Sequence, residues 1–555
     1  MVGTVPLTHT ASTRRWRIVV AAPPLIFLAV FFVWPVGTII ERGLRPDGVW
    51  DLSVFADVAT DPSIRRVLWF TVWQAVASTI VCVLIGLPGA AVFARYRFRG
   101  RSVLWSALLV PFVLPTVVVG VALLGLIGPG GVLGVDLSGT VWAILIGHVF
   151  FNYAVVVRTV GATWMTIDPR VEEAARTLGA STWTTFRRVT LPLLRPSLAA
   201  ASSIVFLFSF TSFGIVLLLG GTTHRTIEVE IYQQTARLLN LDVAAVLALL
   251  QLVLVVAVLW WFGRSQHRRV VALEQRPAEE SRRPAVGWRA RSFVGGNLLV
   301  IGALLGGPLV VLAVRAFSTP DGWGLGAFRS LGDTRRGSTA YVPPVDAVVN
   351  SLQFAAMATV LALVLGACAA WAIAGGGGRV PRWSRFADTA LMVPLGTSAV
   401  TVGFGFLLTF DRAPFDLRSS VWIVPIAHAV VALPFVVRLL VPAVRAIDPR
   451  LHEAAAVLGA SPGRVRRSID APILGRAVAG AAGFAFAVSL GEFGATAFLA
   501  RPARPTLPVA VYRALGRPGE WSFAQAMALS VILMVLTVAV MLFIDRLRPP
   551  GVAEF

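Results

Sequence analysis

Few residues of this 555-residue chain are of types that do chemistry, and several of those lie where they are costly. Glu492, in SLGEFGATAF, is an acid within an apolar run, and His148 and His428 stand within two others. Burying such groups in hydrocarbon is expensive, so each is a candidate either for a solute pathway or for a fixed internal bond. For Glu492 the alternatives are attraction of a cationic solute and pairing with an arginine near the outer end of its helix. For the histidines, a packed and hydrogen-bonded ring stands against solute contact; Asn152 and Gln74 are weaker cases of the same kind. The six histidines include no H-x-x-x-H pair, and Cys82 and Cys368 sit in separate apolar runs, so no metal site is expected. No catalytic residue is expected either. All 49 Lys-plus-Arg positions are arginine, which excludes the G-x-x-x-x-G-K-[ST] phosphate cradle, and GGGGR at 375–379 reads as a helix end in a turn.

One polar phrase occurs twice, EEAARTLGAS at 172–181 and HEAAAVLGAS at 452–461. Each is preceded by Asp-Pro-Arg, where Asp168 or Asp448 suits a helix N-cap and the proline suits the first helical position. Glu172 and Glu173 then fall in the first turn, where the helix dipole favours negative charge. Gly179 and Gly459 can take positive φ and stop the helix. Ser181 is placed to cap a second short helix, TWTTFRRVTL, before Pro192 turns the chain back. A helix, a glycine turn and another helix result, with a narrow alanine face able to enter a groove on another protein.

The elements that must carry these phrases follow from composition. Hydrophobic residues make up 56% of the chain, charged residues 14%, and mean hydropathy is +0.77. Continuous apolar runs of about 20 residues indicate membrane helices rather than barrel strands. The expected fold is an all-α polytopic membrane protein with about twelve transmembrane helices, at 17–40, 67–94, 103–127, 139–160, 198–219, 241–263, 293–316, 349–375, 387–410, 420–443, 477–499 and 524–544. The +21 net charge lies mostly in alternate connections, among them RYRFRGR (95–101), 161–197, 264–292, GGRVPRWSR (377–385) and 444–476. That pattern puts those loops and both termini in the cytoplasm, with Arg14, Arg15 and Arg17 anchoring the first helix, and argues against nucleic acid as a partner.

The two halves are a repeat at an offset of 280: Trp142 matches Trp422, His148 His428, Gly179 Gly459, Pro192 Pro472, Thr226 Thr506 and Tyr232 Tyr512. Pro111 and Gly120 match Pro394 and Gly403 at 283, so one loop is longer in the first half. Six helices per copy is an even number, giving parallel six-helix repeats about a pseudo-two-fold axis along the membrane normal. The expected division is a first unit at 1–263, a polar cytoplasmic linker at 264–292 acting as a flexible tether, and a second unit at 293–555.

E-A-A followed by Gly in a cytoplasmic loop resembles the coupling motif of binding-protein-dependent ABC importer permeases, type I family. The resemblance extends over nearly the whole chain and is nearest to the fused double permeases for thiamine and ferric iron. It implies a permease subunit that hydrolyses no ATP itself and holds no cofactor, ATP-Mg being bound by two ATP-binding subunits seated on the cytoplasmic loops. An extracytoplasmic solute-binding protein would deliver the solute, in the cytoplasmic membrane of a bacterium. Carried over by position, the ATPase-coupling residues are Glu172, Glu173, Ala174, Ala175 and Gly179, and Glu453, Ala454, Ala455 and Gly459. Glu492, His148 and His428 are the candidates for the translocation path. The solute implied is thiamine or a related small molecule, with ferric iron as the alternative. An ion-coupled secondary transporter, also built of parallel repeats, is the rival from another class. It would call for several mid-membrane charges and has no use for a twin cytoplasmic phrase.

Overall fold

The structure is a computed structural model that describes residues 11–51, 53–266, 282–332, 343–374, 382–411 and 416–547. The glycine run 375–378, linker residues 267–281 and the first ten and last eight residues lie outside these. Within the described residues ten helices are long and apolar enough to cross a membrane, and two bent pairs raise the number to twelve.

The bent pairs correct the third and ninth expected helices. Arg101–Pro111 meets Thr116–Ile127 at 101°, and Arg382–Gly396 meets Ala399–Thr409 at 97°. Proline explains both. Pro115 has extended backbone (ψ 136°) just before the second limb, and Pro394 sits in a 3-10 turn just before the break. A proline removes one helical donor and pushes its predecessor out of the helical region. In the second copy Ser398 re-starts the helix by accepting from Val400 N and Thr401 N (3.0 and 3.4 Å).

Pro192 and Pro472 do the opposite, correcting the turn expected at Pro192. The fifth span runs unbroken from Thr182 to Phe210 and the eleventh from Gly463 to Gly491. In each, one π-helical turn, Phe186–Thr190 or Arg466–Asp470, comes immediately before the residue preceding the proline. The same device stands before Pro35 (Ala29–Val33) and Pro308 (Gly302–Gly306). A π-turn accommodates one extra residue, as Leu191 N bonding Phe186 O shows, and so absorbs a proline without ending the helix.

By packing, the chain forms two compact units that interleave along the sequence. One comprises 42–334 and 510–534. Here the second span, Pro62–Arg95, packs along the fourth, Val141–Thr166, with Thr182–Phe210 against both. Close approach of the first pair needs glycine: a Cβ on Gly86 would come 2.7 Å from Val156 Cγ1. The seventh span's second limb, Gly307–Ala316, packs on Thr116–Ile127 within this unit, where Arg315 donates to Gly125 O and Gly130 O (3.3 and 2.6 Å). The described end of the linker is fixed rather than loose. Arg283 and Pro284 pair in parallel with Tyr96 and Arg97, and the Arg283 guanidinium lies 5.4 Å from the Tyr96 ring centroid.

The other unit comprises 1–41, 335–509 and 535–555. Its centre repeats the arrangement: Pro344–Ala374 packs along Ile423–Arg445, Gly366 lies against Val436, and Gly463–Gly491 covers both. The first span joins this unit. Its Phe31 stacks near Phe406 and Phe410 (6.3 and 5.5 Å between centroids), and Phe27, Leu28 and Phe32 are buried in the same apolar cluster. The repeat in sequence and the grouping by packing are therefore different divisions of one chain.

Candidate coupling elbows and buried polar sites

Both polar phrases fold as elbows. Asp168 and Asp448 cap their helices, Pro169–Thr177 and Pro449–Val457, by accepting from Arg170 N (3.0 Å) and Arg450 N (2.9 Å). Each helix ends in a paired closure: Gly179 N donates to Arg176 O and Ala180 N to Ala175 O, while Gly459 N and Ala460 N donate to Ala456 O and Ala455 O. Gly179 at φ +85° and Gly459 at +71° supply the left-handed residue that this closure requires. Ser181 Oγ accepts from Thr184 N (3.2 Å) and begins the next limb, which continues directly into the fifth span.

The elbows are anchored by one face and apolar at the tip. Glu172 Oε1 accepts from Arg95 Nη2 (2.8 Å) and Thr190 Oγ1 (2.9 Å), with Trp164 Nε1 at 3.5 Å. That single oxygen joins the elbow helix to the ends of the second and fourth spans and to the π-turn. The Arg95 and Glu172 side chains are only 9% and 12% exposed. In the second copy His452 replaces Glu172, and it pairs with Asp470 (2.7 Å), which occupies the position of Thr190. The acid has moved from the elbow helix to the π-turn and the bridge is kept.

Leu178 is 88% exposed, Leu458 85% and Val457 87%, and Trp183 is exposed beside the first turn. Glu173, Ala174, Glu453 and Ala454 are exposed, and Ala175 and Ala455 are half-buried. The expected motif residues thus divide: Glu172 braces, the glycines turn the chain, and the others offer a surface. Sequence reasoning missed Arg95, Thr190 and Asp470, although the paired change from Glu172 and Thr190 to His452 and Asp470 was readable.

The buried polar residues are mostly satisfied within the protein. His428 Nδ1 bonds Ser489 Oγ (2.7 Å), and Nε2 lies 2.8 Å from Thr496 Oγ1 and 3.2 Å from Glu492 Oε2. Glu492 sits at the far end of the eleventh span, as expected, but its partner is this histidine and not an arginine. Its carboxylate also accepts from Ala495 N, Thr496 N and Thr496 Oγ1 (2.9, 3.0 and 2.6 Å), so it holds the turn that follows the helix. Four donors fix the acid in place, which is the internal-bond alternative.

His148 repeats this only in part. Its Nδ1 bonds Ser78 Oγ (2.8 Å), while its buried Nε2 has no hydrogen-bond partner among the described residues; Val216 and Ser212 stand where Thr496 and Glu492 do in the other copy. Gln74 Nε2 donates to Ser209 O (2.7 Å) and Asn152 Nδ2 to His148 O (3.0 Å), both structural bonds. The His428 site is closed, and the His148 site keeps one ring nitrogen available.

The chain matches the family model described as "Binding-protein-dependent transport system inner membrane component" over residues 83–271. It is 29% identical over 515 residues to the thiamine transport system permease protein ThiP of Brucella abortus (strain 2308), spanning 88% of each chain. To ThiP of Salmonella typhimurium it is 27% identical over 532 residues, 91% of this chain and 92% of that one. To the molybdenum transport system permease protein ModB of Mycobacterium tuberculosis it is 34% identical over 256 residues, covering 44% of this chain and 89% of ModB. This chain belongs to the family of binding-protein-dependent transport system inner membrane components. It is a multi-pass permease subunit of such an importer.

Proposed function

We propose that this permease carries thiamine or a related small solute, driven by two ATP-hydrolysing subunits seated on its two elbows. ThiP similarity over about nine-tenths of the chain carries the solute reading, because it takes in both copies of the repeat, whereas the ModB likeness takes in less than half. The elbows carry the coupling reading. Each is tied to the spans on one face and bares a leucine and a row of alanines on the other, and a bare apolar tip on a rigid mount is what a docking groove needs. In this reading the elbows and both termini are cytoplasmic, as the arginine-rich loops imply. ATP-Mg binds only to the partner subunits. Closure of those subunits moves the elbows, and each elbow moves the fifth or eleventh span as one body because the helix is continuous through its π-turn.

The test is uptake into proteoliposomes holding the permease, its ATPase subunits and its solute-binding protein. ATP-dependent accumulation of labelled thiamine, absent with ferric iron or molybdate, is expected. Uptake of thiamine that persists without any ATPase subunit refutes the coupling reading and favours the ion-driven alternative.

A further inference from the structure

At one matched place the two copies are built differently. In the first copy, the connection before the fourth span closes directly on the segment after the fifth. Gly139 N donates to Leu219 O (2.8 Å), and a Cβ on Gly221 would stand 3.0 Å from Gly139 Cα. His224 Nδ1, 2.8 Å from Gly139 O, completes the seal. At the offset of 280 the second copy has Arg418 for Ser138 and Arg501 for Gly221. Arg501 Nε and Nη2 both donate to Arg418 O (3.0 and 2.7 Å), so a long side chain spans the place where two glycine backbones meet in the first copy.

The wider joint borders a cavity of about 160 Å³, walled by Phe406, Phe410, Phe498 and Leu499 and lined also by Arg418 and Arg501. All of these residues belong to one compact unit. The first copy has Leu123, Ile127 and Leu218 where the three phenylalanines stand, at the offsets of 283, 283 and 280. The charge beside the rings is unbalanced. Arg418 Nη1 is taken by Asp411 Oδ1 (2.6 Å), whereas no acid pairs with Arg501 among the described residues. The Arg418 side chain is 65% exposed, so its guanidinium can be reached from outside.

Tryptophan marks the depth of this place. Trp422 is exposed at the start of the tenth span, next to Ile423 of the cavity wall, and the exposed Trp34 lies edge-on to the Phe410 ring at 5.8 Å. Exposed tryptophans on membrane helices gather at the level of the lipid headgroups. From Ile423 the tenth span runs to Arg445, just before the second elbow, so the cavity lies at the membrane surface opposite the elbows.

We propose that this cavity is a phospholipid site, with the phosphate on the guanidiniums of Arg418 and Arg501 and the first part of one acyl chain between the phenylalanine rings. The planar fork of arginine matches phosphate oxygens, and the apolar walls take methylenes out of water. Headgroup depth is where one molecule presents both. A soluble anion would use the arginines and leave the rings without a partner. The site needs only the membrane-spanning fold and is independent of the solute and of the coupling partners.

Photolabelling tests it on the full-length permease in vesicles of phosphatidylethanolamine and phosphatidylglycerol. The probe is a phosphatidylglycerol bearing a diazirine near the start of one acyl chain. After irradiation, adducts mapped by mass spectrometry should concentrate in 404–410 and 498–502. Arg418→Gln combined with Arg501→Gln should lower that labelling about tenfold, the effect of about one charge-assisted bond, and leave labelling elsewhere unchanged. Leu407→Trp, on the cavity lining, fills the space while keeping both arginines. It should lower the labelling by a similar factor, which decides the matter even if the arginine variant fails to fold. Labelling of the two segments no stronger than at other span ends, or unchanged by filling the cavity, overturns the site. Suppression by millimolar inorganic phosphate also overturns it, in favour of a free anion, and suppression by the solute-binding protein does so in favour of a protein contact.

Discussion

Replacing Glu172 by alanine removes both bonds that hold the first elbow and leaves the Arg95 guanidinium buried beside an apolar side chain. The charge-assisted bond to Arg95 contributes about 2 kcal/mol and the Thr190 bond about 1 kcal/mol. Their loss comes to about 3 kcal/mol, and among the described residues the arginine is left with its bond to Ile167 O (3.1 Å). If that energy orients the elbow for docking, affinity for the ATPase subunits should fall by up to about a hundredfold. The measurement is binding of purified ATPase subunits to the permease in nanodiscs, set against the unsubstituted protein. A double-mutant cycle with Arg95→Ala should return a coupling of about 2 kcal/mol. The second copy supplies the rescue. Glu172→His alone sets a ring against Arg95 and should be as damaging as alanine. Glu172→His with Thr190→Asp rebuilds the His452–Asp470 pair and should recover binding to within about threefold of the unsubstituted protein, an energy difference of about 0.7 kcal/mol. Binding by Glu172→Ala as tight as that of the unsubstituted protein refutes the bracing argument outright.

Three further outcomes follow from the geometry. Leu178→Ser combined with Leu458→Ser should leave the thermal midpoint of the isolated permease within about 1 °C, since both tips are solvent-exposed, yet abolish co-purification of the ATPase. Gly459→Val should cost about 1–2 kcal/mol through its positive φ while Gly459→Asn is nearly neutral, read as thermal midpoints, because nothing lies within 4 Å of a Cβ there. His428→Ala should destabilise the detergent-solubilised protein by about 1–2 kcal/mol more than His148→Ala, since His428 bridges Ser489, Thr496 and Glu492 whereas His148 holds Ser78.

The elbows were readable from the amino acids because their signals are local: an aspartate before a proline, and a glycine ten residues after that proline. The spans were readable because hydrocarbon imposes length and composition. Where the reading failed, the deciding contact was remote or the backbone had two answers to one residue. Pro115 and Pro394 accompany bends of about a right angle, whereas Pro192 and Pro472 do not, and the difference is a π-turn that no single residue type announces. Glu492 was placed at the correct end of its helix, but naming its partner required knowing that the tenth span passes alongside. The grouping of the first span with the second copy's helices is likewise a matter of packing alone, since an apolar helix carries little record of which neighbour it prefers.

Thr190 and Asp470 each close a π-turn, and the numbering offset between the copies is the same before these turns, within them and after them. A residue inserted into only one copy would have broken that count. The widened turn is therefore common to both copies at one register, with no residue gained in either copy alone. The side chains that brace it differ, Arg95 with Glu172 in one copy and His452 with Asp470 in the other, so one joint is served by two different braces.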